Sequence, residues 1–412
     1  MIVQSDSLEW LKQQEADSID HIITDPPYLI DFMAKKWDSK DNVAGSVDYW
    51  KEALRVCKAG SYALVFGHSR THHRVMTAME DAGWDIRDCL MWVQGQGFPK
   101  SHELGAKIDK AKGLLGHRGK RVKHQVGQEE FDKPEHIAKH EPISAEAKEW
   151  SGWGENLKPA YEPIIMARKP FKGSLTNNVL TNKLGALNID ACRVGTEVMP
   201  SHTTKTETTG IGWEKHGYTT PEAIGRHPAN VILDEEAAKS LDEQSGITKD
   251  GTWNRTDGAR PFGNEGKKTN YQTTKSPKGS GGASRFFYVA KVSAKERNFG
   301  CEEREIKQET GGGGLTEMGG AFGSIKAKGH NHHPTLKPIE LMKWLVKLVS
   351  KEGQTILDPF MGSGSTGIAV ELLGRNFIGV EMDADYCDIA ERRITAWKEK
   401  QNDCEEPTSQ VG

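Results

Sequence analysis

Two short motifs combine residue types that can do chemistry, and each follows a stretch typical of a buried strand. The first is Asp25-Pro26-Pro27-Tyr28, which directly follows His21–Thr24. Two consecutive prolines fix the backbone and leave carbonyl groups without neighbouring N–H donors. The Asp25 carboxylate and the Pro26 carbonyl would then present acceptors beside the flat ring of Tyr28. Such a site complements the exocyclic amine of an aromatic base, which offers two N–H donors.

The second motif is the glycine-rich segment DPFMGSGSTG at 358–367, in which Gly362, Gly364 and Gly367 satisfy G-x-G-x-x-G. Its glycines allow close approach of a ligand, and Glu381 follows Gly362 at the distance of a ribose-binding acid in dinucleotide sites. NAD is therefore the rival ligand. Too little chain follows Glu381 for the rest of a dinucleotide domain, and an acidic strand end suits a cationic sulfonium better than a pyrophosphate. These features favour S-adenosylmethionine.

Apolar runs and amphipathic runs alternate near both ends of the chain, so strands and helices from both termini can complete one sheet. We predict an α/β fold with a single, circularly permuted sheet built from both termini. The predicted strands are Ile2-Val3, His21–Thr24, Ser61–Gly67, Trp84–Val93, Glu162–Arg168, Thr355–Leu357 and Phe377–Val380. The predicted helices are Ser7–Gln14, Thr71–Asp81, Ile339–Val349 and Ala384–Lys398.

Between these ordered parts the periodic signal is weak, apart from apolar islands at Asn230–Leu233 and Phe286–Ala290. Clusters of Gly, Ser, Thr and Asn are typical of irregular structure, so we predict a loop-rich second domain. The predicted organisation is a catalytic part at 1–169 with a polar insertion at 95–160, a target-recognition region at 170–330, a cofactor-binding part at 331–400 and a tail at 401–412.

Composition excludes several classes of protein. The six cysteines form no C-x-x-C pair, so neither a zinc site nor a disulfide framework is expected, and no metal is predicted. We expect no signal peptide and no membrane span, because the first residues lack the leader pattern and apolar runs are short. The sequence is therefore expected to belong to a cytoplasmic protein.

A net charge of −3 is unusual for a nucleic-acid-binding protein, but positive charge is concentrated locally. The stretches Ala111–Gln125 and Gly266–Lys291 contain several basic residues and no carboxylate. The second stretch also interleaves aromatic residues. We predict that these stretches contact DNA phosphates. The candidate contacts are Lys120, Arg121, Lys123, Lys275, Lys278 and Arg285.

The two motifs, taken together, resemble those of the amino-methylating DNA methyltransferases of the β order, in which D-P-P-Y precedes D-P-F-x-G-S-G. Three further stretches are similar to this family: Asp6–Glu9, His333–Pro338 (HPTLKP) and Phe377–Glu381. The resemblance covers roughly 1–95, 155–170 and 331–396. In addition, ALNIDACR at 186–193 and GRHPANVILD at 225–234 resemble members often carried by phages and prophages.

The resemblance implies a Rossmann-like methyltransferase sheet, S-adenosylmethionine as the cofactor, double-stranded DNA as the substrate, and a role for each matching residue. Asp25, Pro26, Pro27 and Tyr28 would hold a base flipped out of the duplex. The residues implied at the cofactor are Asp6, Thr335, Lys337, Asp358, Phe360, Gly362, Ser363, Gly364, Thr366 and Glu381.

An aspartate at the first position of D-P-P-Y goes mainly with adenine in this family, so the resemblance favours transfer to adenine N6. Cytosine N4 is the alternative, and RNA or protein amides are further ones. In other classes, a NAD-dependent dehydrogenase and a DNA-binding module without catalysis stay open. A homodimer and a cognate restriction nuclease are partners that the sequence neither requires nor excludes.

Overall fold

A computed structural model gives the structure of the chain in two compact units, Met1–Gly95 with Tyr161–Gly412, and Gln96–Ala160. In the smaller unit the described helices are Leu104–Ala111 (α4) and Ala145–Glu149 (α5), numbered in chain order with those below. The residues that the structure describes are 1–30, 38–39, 41–95, 103–114, 141–199, 202–203, 219–249, 279–291, 296–304, 307–308, 328–329, 331, 333 and 335–405.

The larger unit is built on one nine-stranded sheet, to which both ends of the chain contribute. Its strands are Ile2–Gln4 (β1), His21–Thr24 (β2), Tyr62–Phe66 (β3), Asp85–Val93 (β4), Tyr161–Arg168 (β5), Val231–Asp234 (β6), Tyr288–Ala290 (β7), Thr355–Asp358 (β8) and Asn376–Glu381 (β9). Their order across the sheet is β1-β9-β8-β2-β3-β5-β4-β6-β7.

Eight of these nine strands run in the same direction, and β5 is antiparallel to both of its neighbours, β3 and β4. The N-terminal β1 pairs with β9, and β2 pairs with β8, so the two C-terminal strands lie between strands from the N-terminal part of the chain. The predicted α/β fold with a permuted, Rossmann-like methyltransferase sheet is confirmed.

Both faces of the sheet are buried, which explains why the central strand β3 is apolar along its whole length. Along β3, Tyr62, Leu64 and Phe66 belong to one apolar cluster, whereas Ala63 and Val65 belong to the other. The helices α1 to α3 contribute to the cluster on the second face, and α8 and α9 to the cluster on the first. These helices are Ser7–Gln13 (α1), Val47–Val56 (α2), His72–Asp81 (α3), Ile339–Val349 (α8) and Ser365–Leu372 (α9).

The remaining described helices of the larger unit are Leu175–Asn182 (α6), Glu235–Ser245 (α7) and Ala384–Glu405 (α10). Short 3₁₀ turns lie at Val43–Gly45, Asp190–Cys192 and Ala283–Phe286. Four two-stranded ladders join Val194–Met199 to Ala223–Arg226, His202–Thr203 to Thr219–Thr220, Thr248–Lys249 to Ser280–Gly281, and Lys307–Gln308 to Lys328–Gly329.

The region 170–330 differs from the loop-rich second domain predicted for it. Its two apolar islands form β6 and β7, which extend the main sheet next to β4, and α7 connects them. The described parts of this region therefore belong to the same compact unit as the sheet, and the prediction of a separate domain is wrong for them. Each island is too short to show a periodicity of its own. Only the pairing with a neighbouring strand shows that the island is a strand of the main sheet. The expected tail at 401–412 also differs, since α10 continues to Glu405.

Candidate active site

The two predicted motifs meet at one edge of the sheet. Asp25 follows β2, Asp358 ends β8 and Glu381 ends β9, and these three parallel strands end at the same edge. The Thr24 hydroxyl donates a hydrogen bond of 2.6 Å to Asp358 Oδ1, across 334 residues of sequence. The chain positions that the sequence suggested for catalysis and for the cofactor are thus direct neighbours.

A four-residue cluster surrounds the carboxylate of Asp25. The Tyr28 hydroxyl is 2.7 Å from Asp25 Oδ1 and 3.0 Å from Glu162 Oε2, and it can donate to either. The Lys337 ammonium lies 2.7 Å from Asp25 Oδ2, 3.1 Å from Glu162 Oε2 and 2.9 Å from the Tyr28 oxygen. We call Asp25, Tyr28, Glu162 and Lys337 the acid–lysine cluster.

Burial sets the electrostatics of this cluster. Burial raises the pKa of Asp25 and outweighs the opposing effect of Lys337, while the charge of Glu162 raises it further. Burial also acts to raise the pKa of Glu162, but Lys337 and the amide of Gln94 together hold it below its ordinary value. Burial and the two carboxylates raise the pKa of Tyr28 well above its ordinary value, so its phenol stays protonated. The pKa of Asp25 is thus shifted upwards and that of Glu162 downwards.

The D-P-P-Y segment is held from outside the cluster as well. Pro26 is buried, and the Thr71 hydroxyl donates a 2.5 Å hydrogen bond to the Tyr28 carbonyl. The His68 ring lies 6.2 Å from the Tyr28 ring, centroid to centroid, at an angle of 45°. Immediately after Tyr28, Leu29 adopts a left-handed conformation with φ of 60°. The backbone therefore turns sharply where the motif ends.

The glycine-rich turn joins β8 to α9 and is packed from several sides. Gly362 and Gly364 have φ of 53° and 79°, a region that glycine adopts readily. The amide of Gly362 donates to Glu381 Oε2 at 2.9 Å, and the amide of Asp383 donates to Glu381 Oε1 at 2.9 Å. A fully buried Arg393 donates to the carbonyl and the hydroxyl of Ser363. The turn and the acid at the end of β9 thus form one fixed unit.

Asp358 is the buried centre of this unit. Thr24 and Thr366 each donate a hydroxyl hydrogen bond of 2.6 Å to its two oxygens, and the amide of Phe360 donates to Oδ1. Burial raises the pKa of Asp358 to about 6, against the effect of these donors. The Phe360 ring packs 5.4 Å from Tyr49, centroid to centroid.

The residues at this turn fit S-adenosylmethionine by the chemistry of their donors and acceptors. Ser365, at the first position of α9, has a buried hydroxyl without a hydrogen-bond partner among the described residues. Glu381 is a partly buried carboxylate with lone pairs left for hydroxyl donors, and burial raises its pKa. A ligand with hydroxyl groups and a positive charge would offer hydrogen-bond partners to the Ser365 hydroxyl and the Glu381 carboxylate. Asp358 lies nearby and would supply negative charge.

The H-P-T-x-K-P segment reaches both motifs. The ring of His333 lies so close to Gly362 that a Cβ there would be 2.6 Å from His333 Nε2. Its Nδ1 lies 2.5 Å from the Thr335 carbonyl, and burial lowers the pKa of His333 to about 4. Thr335 is exposed, whereas Lys337 is buried and directed to Asp25 rather than to the glycine-rich turn. His330 and His332 lie outside the described residues.

Two of the predicted site residues, Asp6 and Arg285, also make hydrogen bonds that stabilise local backbone structure. Asp6 caps α1, since its Oδ1 accepts from the amides of Leu8 and Glu9 at 2.9 and 3.1 Å. Arg285 donates to the carbonyls of Gly281 and Gly282 and to the Thr248 hydroxyl. These local bonds explain the conformation of Arg285 without DNA, so its predicted DNA contact stays a prediction. Lys120, Arg121, Lys123, Lys275 and Lys278 lie outside the described residues.

The sequence did not single out Glu162 or Gln94. Glu162 lies at the start of β5, and because β5 is antiparallel its first residues meet the ends of β3 and β4. Gln94 follows β4 and donates to Glu162 Oε1 at 2.9 Å. A charged residue near the start of a mostly apolar strand was the available signal. Its meaning depended on the strand direction, which periodicity does not give.

In the described part of the chain, no helix is long and apolar enough to cross a membrane.

Similar proteins are found both by sequence and by structure. The Type II methyltransferase M.HindIII of Haemophilus influenzae is 23% identical over 95% of this chain and 94% of its own. The Type II methyltransferase M.HinfI, also of Haemophilus influenzae, is 41% identical over 19% of this chain and 22% of its own. Among solved structures, M1.HpyAVI covers 96% of this chain and 98% of its own, at 14% identity and a TM-score of 0.40.

The match that decides the family spans nearly the whole chain. The model of the N6/N4-type DNA methylases matches residues 19–392, a range that includes both motifs, the acid–lysine cluster and the glycine-rich turn. The chain belongs to this family of DNA methylases.

Proposed function

We propose that this DNA methyltransferase transfers a methyl group from S-adenosylmethionine to N6 of adenine in double-stranded DNA. The observation that carries the proposal is the Thr24–Asp358 bond, which makes the amine-binding and cofactor-binding motifs neighbours at one sheet edge. The choice of adenine is supported by Asp25, because an aspartate in this position goes mainly with adenine in the family that the motifs resemble.

The target base must leave the DNA stack, because its amine faces the partner strand inside the duplex. Tyr28 would stack on the flipped base, and the Asp25 carboxylate and the Pro26 carbonyl would accept the two amine hydrogens. Accepting these hydrogens directs the nitrogen lone pair out of the ring plane. S-adenosylmethionine supplies an electrophilic methyl group when bound. Orientation and fixed acceptors account for most of the expected rate gain.

The cofactor would be held by the unit at the ends of β8 and β9. Glu381 offers a carboxylate for the ribose hydroxyls, and Ser365 and the start of α9 offer polar groups at the turn. Asp358 and Phe360 would lie along the same ligand. Thr335, Ser363, Thr366 and Asp6 retain the supporting roles that the family resemblance implies.

Recognition of DNA is proposed to involve the insertion at 95–160 and the region 170–330. Phosphate contacts there would give affinity, and contacts to base edges would give sequence specificity. The Type II names of the relatives support a place in a restriction–modification system with a cognate nuclease. A homodimer and a phage origin are proposals that rest on sequence resemblance alone.

The target atom is tested by mass spectrometry of nucleosides. The full chain is expressed in a host without DNA methylation, and its genomic DNA is digested to nucleosides. N6-methyldeoxyadenosine is the expected product. DNA from cells that carry the empty vector is the control. If N4-methyldeoxycytidine is the main product, the base assignment is wrong. If neither product forms, the proposed function is wrong.

A further inference from the structure

Asp25 has conflicting tasks in the proposed reaction. Its carboxylate must accept from the target amine, but in this structure Oδ1 is 2.7 Å from the Tyr28 hydroxyl and Oδ2 is 2.7 Å from the Lys337 ammonium. Lys337 is buried, with only 7% of its side chain exposed. If Asp25 turned to the amine and Lys337 had no other partner, a buried cation would lose its counter-ion, at high cost in free energy.

Glu162 is placed to prevent this loss. Its Oε2 lies 3.1 Å from the Lys337 ammonium and 3.0 Å from the Tyr28 oxygen, so it contacts the same two groups as Asp25. Its other oxygen accepts from Gln94 at 2.9 Å, which restrains the orientation of the carboxylate. Glu162 can therefore take over Lys337 and Tyr28 with little movement.

We propose that Glu162 is a positioning residue that holds Lys337 and Tyr28 and so releases the Asp25 carboxylate for the target amine. The inference rests on the proposed function, since it assigns Asp25 to the amine. Glu162 itself does not touch the base in this account. Its contribution is electrostatic and acts through Lys337.

The ionisation of the cluster supports these separate roles of Glu162 and Asp25. One ammonium faces two carboxylates, and Glu162 is held ionised by Lys337 and Gln94, while the pKa of Asp25 is raised by burial and by Glu162. Lys337 and Gln94 thus favour the charged form of Glu162, whereas burial and the charge of Glu162 favour a proton or an N–H donor on Asp25. Lys337 keeps its charge because the two carboxylates raise its pKa against burial.

The first test is Glu162→Gln, which keeps the shape but removes the charge. With saturating S-adenosylmethionine and unmethylated genomic DNA, the single-turnover rate should fall about ten- to a hundredfold, less than the ~10²–10³ typical of a group at the reacting centre. Glu162→Asp, which keeps the charge, should retain more activity than Glu162→Gln. The matched control is Glu340→Gln, which removes another lysine-paired carboxylate and should leave the rate unchanged. Thermal unfolding checks that each variant is folded.

A pH profile separates this role from a merely structural one. Without the charge of Glu162, Lys337 dominates the surroundings of Asp25, so the pKa of Asp25 falls. The acid limb of kcat/KM should therefore move to lower pH in Glu162→Gln and stay in place in Glu162→Asp and Glu340→Gln. A folded Glu162→Gln variant with an unmoved acid limb would overturn the inference.

The double variant Glu162→Gln/Lys337→Met tests whether Glu162 acts through the lysine. Removing both charges leaves Asp25 without a competing cation, so the double variant should be faster than Glu162→Gln alone when cofactor is saturating. If the loss of rate in the double variant equals the product of the losses in Glu162→Gln and in Lys337→Met, the inference is contradicted. These results are distinguishable from failure of the proposed function, in which the unaltered chain itself would transfer no methyl group to DNA.

Discussion

The hydroxyl of Thr24 and the carboxylate of Asp358 are joined by a 2.6 Å hydrogen bond between the ends of neighbouring parallel strands. Thr24 precedes the D-P-P-Y motif, and Asp358 begins the glycine-rich motif, so this bond links the two functional segments through one buried contact. Thr366 donates to the other oxygen of Asp358, from the first turn of α9. The carboxylate thereby couples β2, β8 and α9 below the proposed cofactor site.

Removing one of these donors should weaken both the fold and the cofactor site. Thr24→Val leaves a buried carboxylate with one hydroxyl donor fewer, which is expected to lower the free energy of unfolding by about 1–3 kcal/mol at pH 8. The pKa of Asp358 should rise above about 6. Denaturant unfolding measures the first effect and calorimetry the loss of cofactor affinity. Thr366→Val should behave alike; unchanged stability in both variants would contradict a coupling role.

Substitution of Gly364 should act through packing as well as through ligand binding. The sequence suggested that a side chain at Gly364 would fill space needed by the ligand, but a Cβ there would lie 2.9 Å from the Cβ of Ala390 in α10. Gly364→Ala is therefore expected to lower thermal stability and cofactor affinity together. Gly353→Ala is the matched control, because Gly353 has a similar φ of 78° and a Cβ added there would meet no atom within 4 Å.

The difference between these two variants isolates the clash from the cost of a left-handed backbone, which is about 1–2 kcal/mol for either residue. Equal losses of stability in Gly364→Ala and Gly353→Ala would show that contact with α10 is unimportant. Unchanged cofactor affinity in a folded Gly364→Ala variant would remove the turn from the binding site.

The buried His21 should make the fold sensitive to acid. Burial lowers its pKa from 6.5 to about 4, so the unfolded chain binds more protons between these values. The free energy of unfolding should therefore fall as pH falls from 6.5 towards 4, with a contribution from His21 of roughly 3 kcal/mol. His21→Asn keeps an acceptor for the amide of Tyr62 and should flatten this dependence. If the free energy of unfolding depends on pH in the same way in His21→Asn and in the unaltered chain, the assignment to His21 is contradicted.

The basic stretch at 111–125 is predicted to contact DNA phosphates. Replacing Lys120, Arg121 and Lys123 by glutamine should weaken binding to all DNA sequences alike and reduce the salt slope by about 0.9 for each phosphate that is no longer neutralised. The matched control replaces three exposed lysines on helices by glutamine, and this change should leave the salt slope unchanged. These lysines are Lys12, Lys51 and Lys239. An equal slope in the two triple variants would exclude this stretch from phosphate binding.

Much of the fold was predictable because its strands are long or uniformly apolar. The boundaries of α8 match the prediction, and β2 follows it residue for residue. The strands β6 and β7 were visible only as apolar islands, since their burial comes from partner strands distant in sequence. Propensity and periodicity are local, and so they cannot report pairing of this kind.

The candidate site shows the same division. Asp25, Tyr28, Asp358 and Glu381 were predictable because each belongs to a short motif whose own residues are close in sequence. Glu162 was not, because its place in the cluster depends on the reversed direction of β5. The position of Lys337 against Asp25 likewise depends on the packing of α8 rather than on its motif.

In the proposed function, Asp25 serves the transfer step and not the binding of the cofactor. The most direct measurement compares Asp25→Ala with the unaltered chain in cofactor affinity by calorimetry and in single-turnover methyl transfer from labelled S-adenosylmethionine to DNA. Lys337 keeps Glu162 as its partner in this variant, so the fold should survive. We expect nearly unchanged cofactor affinity, with the rate of methyl transfer reduced by ~10²–10³ or more. Methyl transfer at the unaltered rate by a folded Asp25→Ala variant would contradict this role of Asp25.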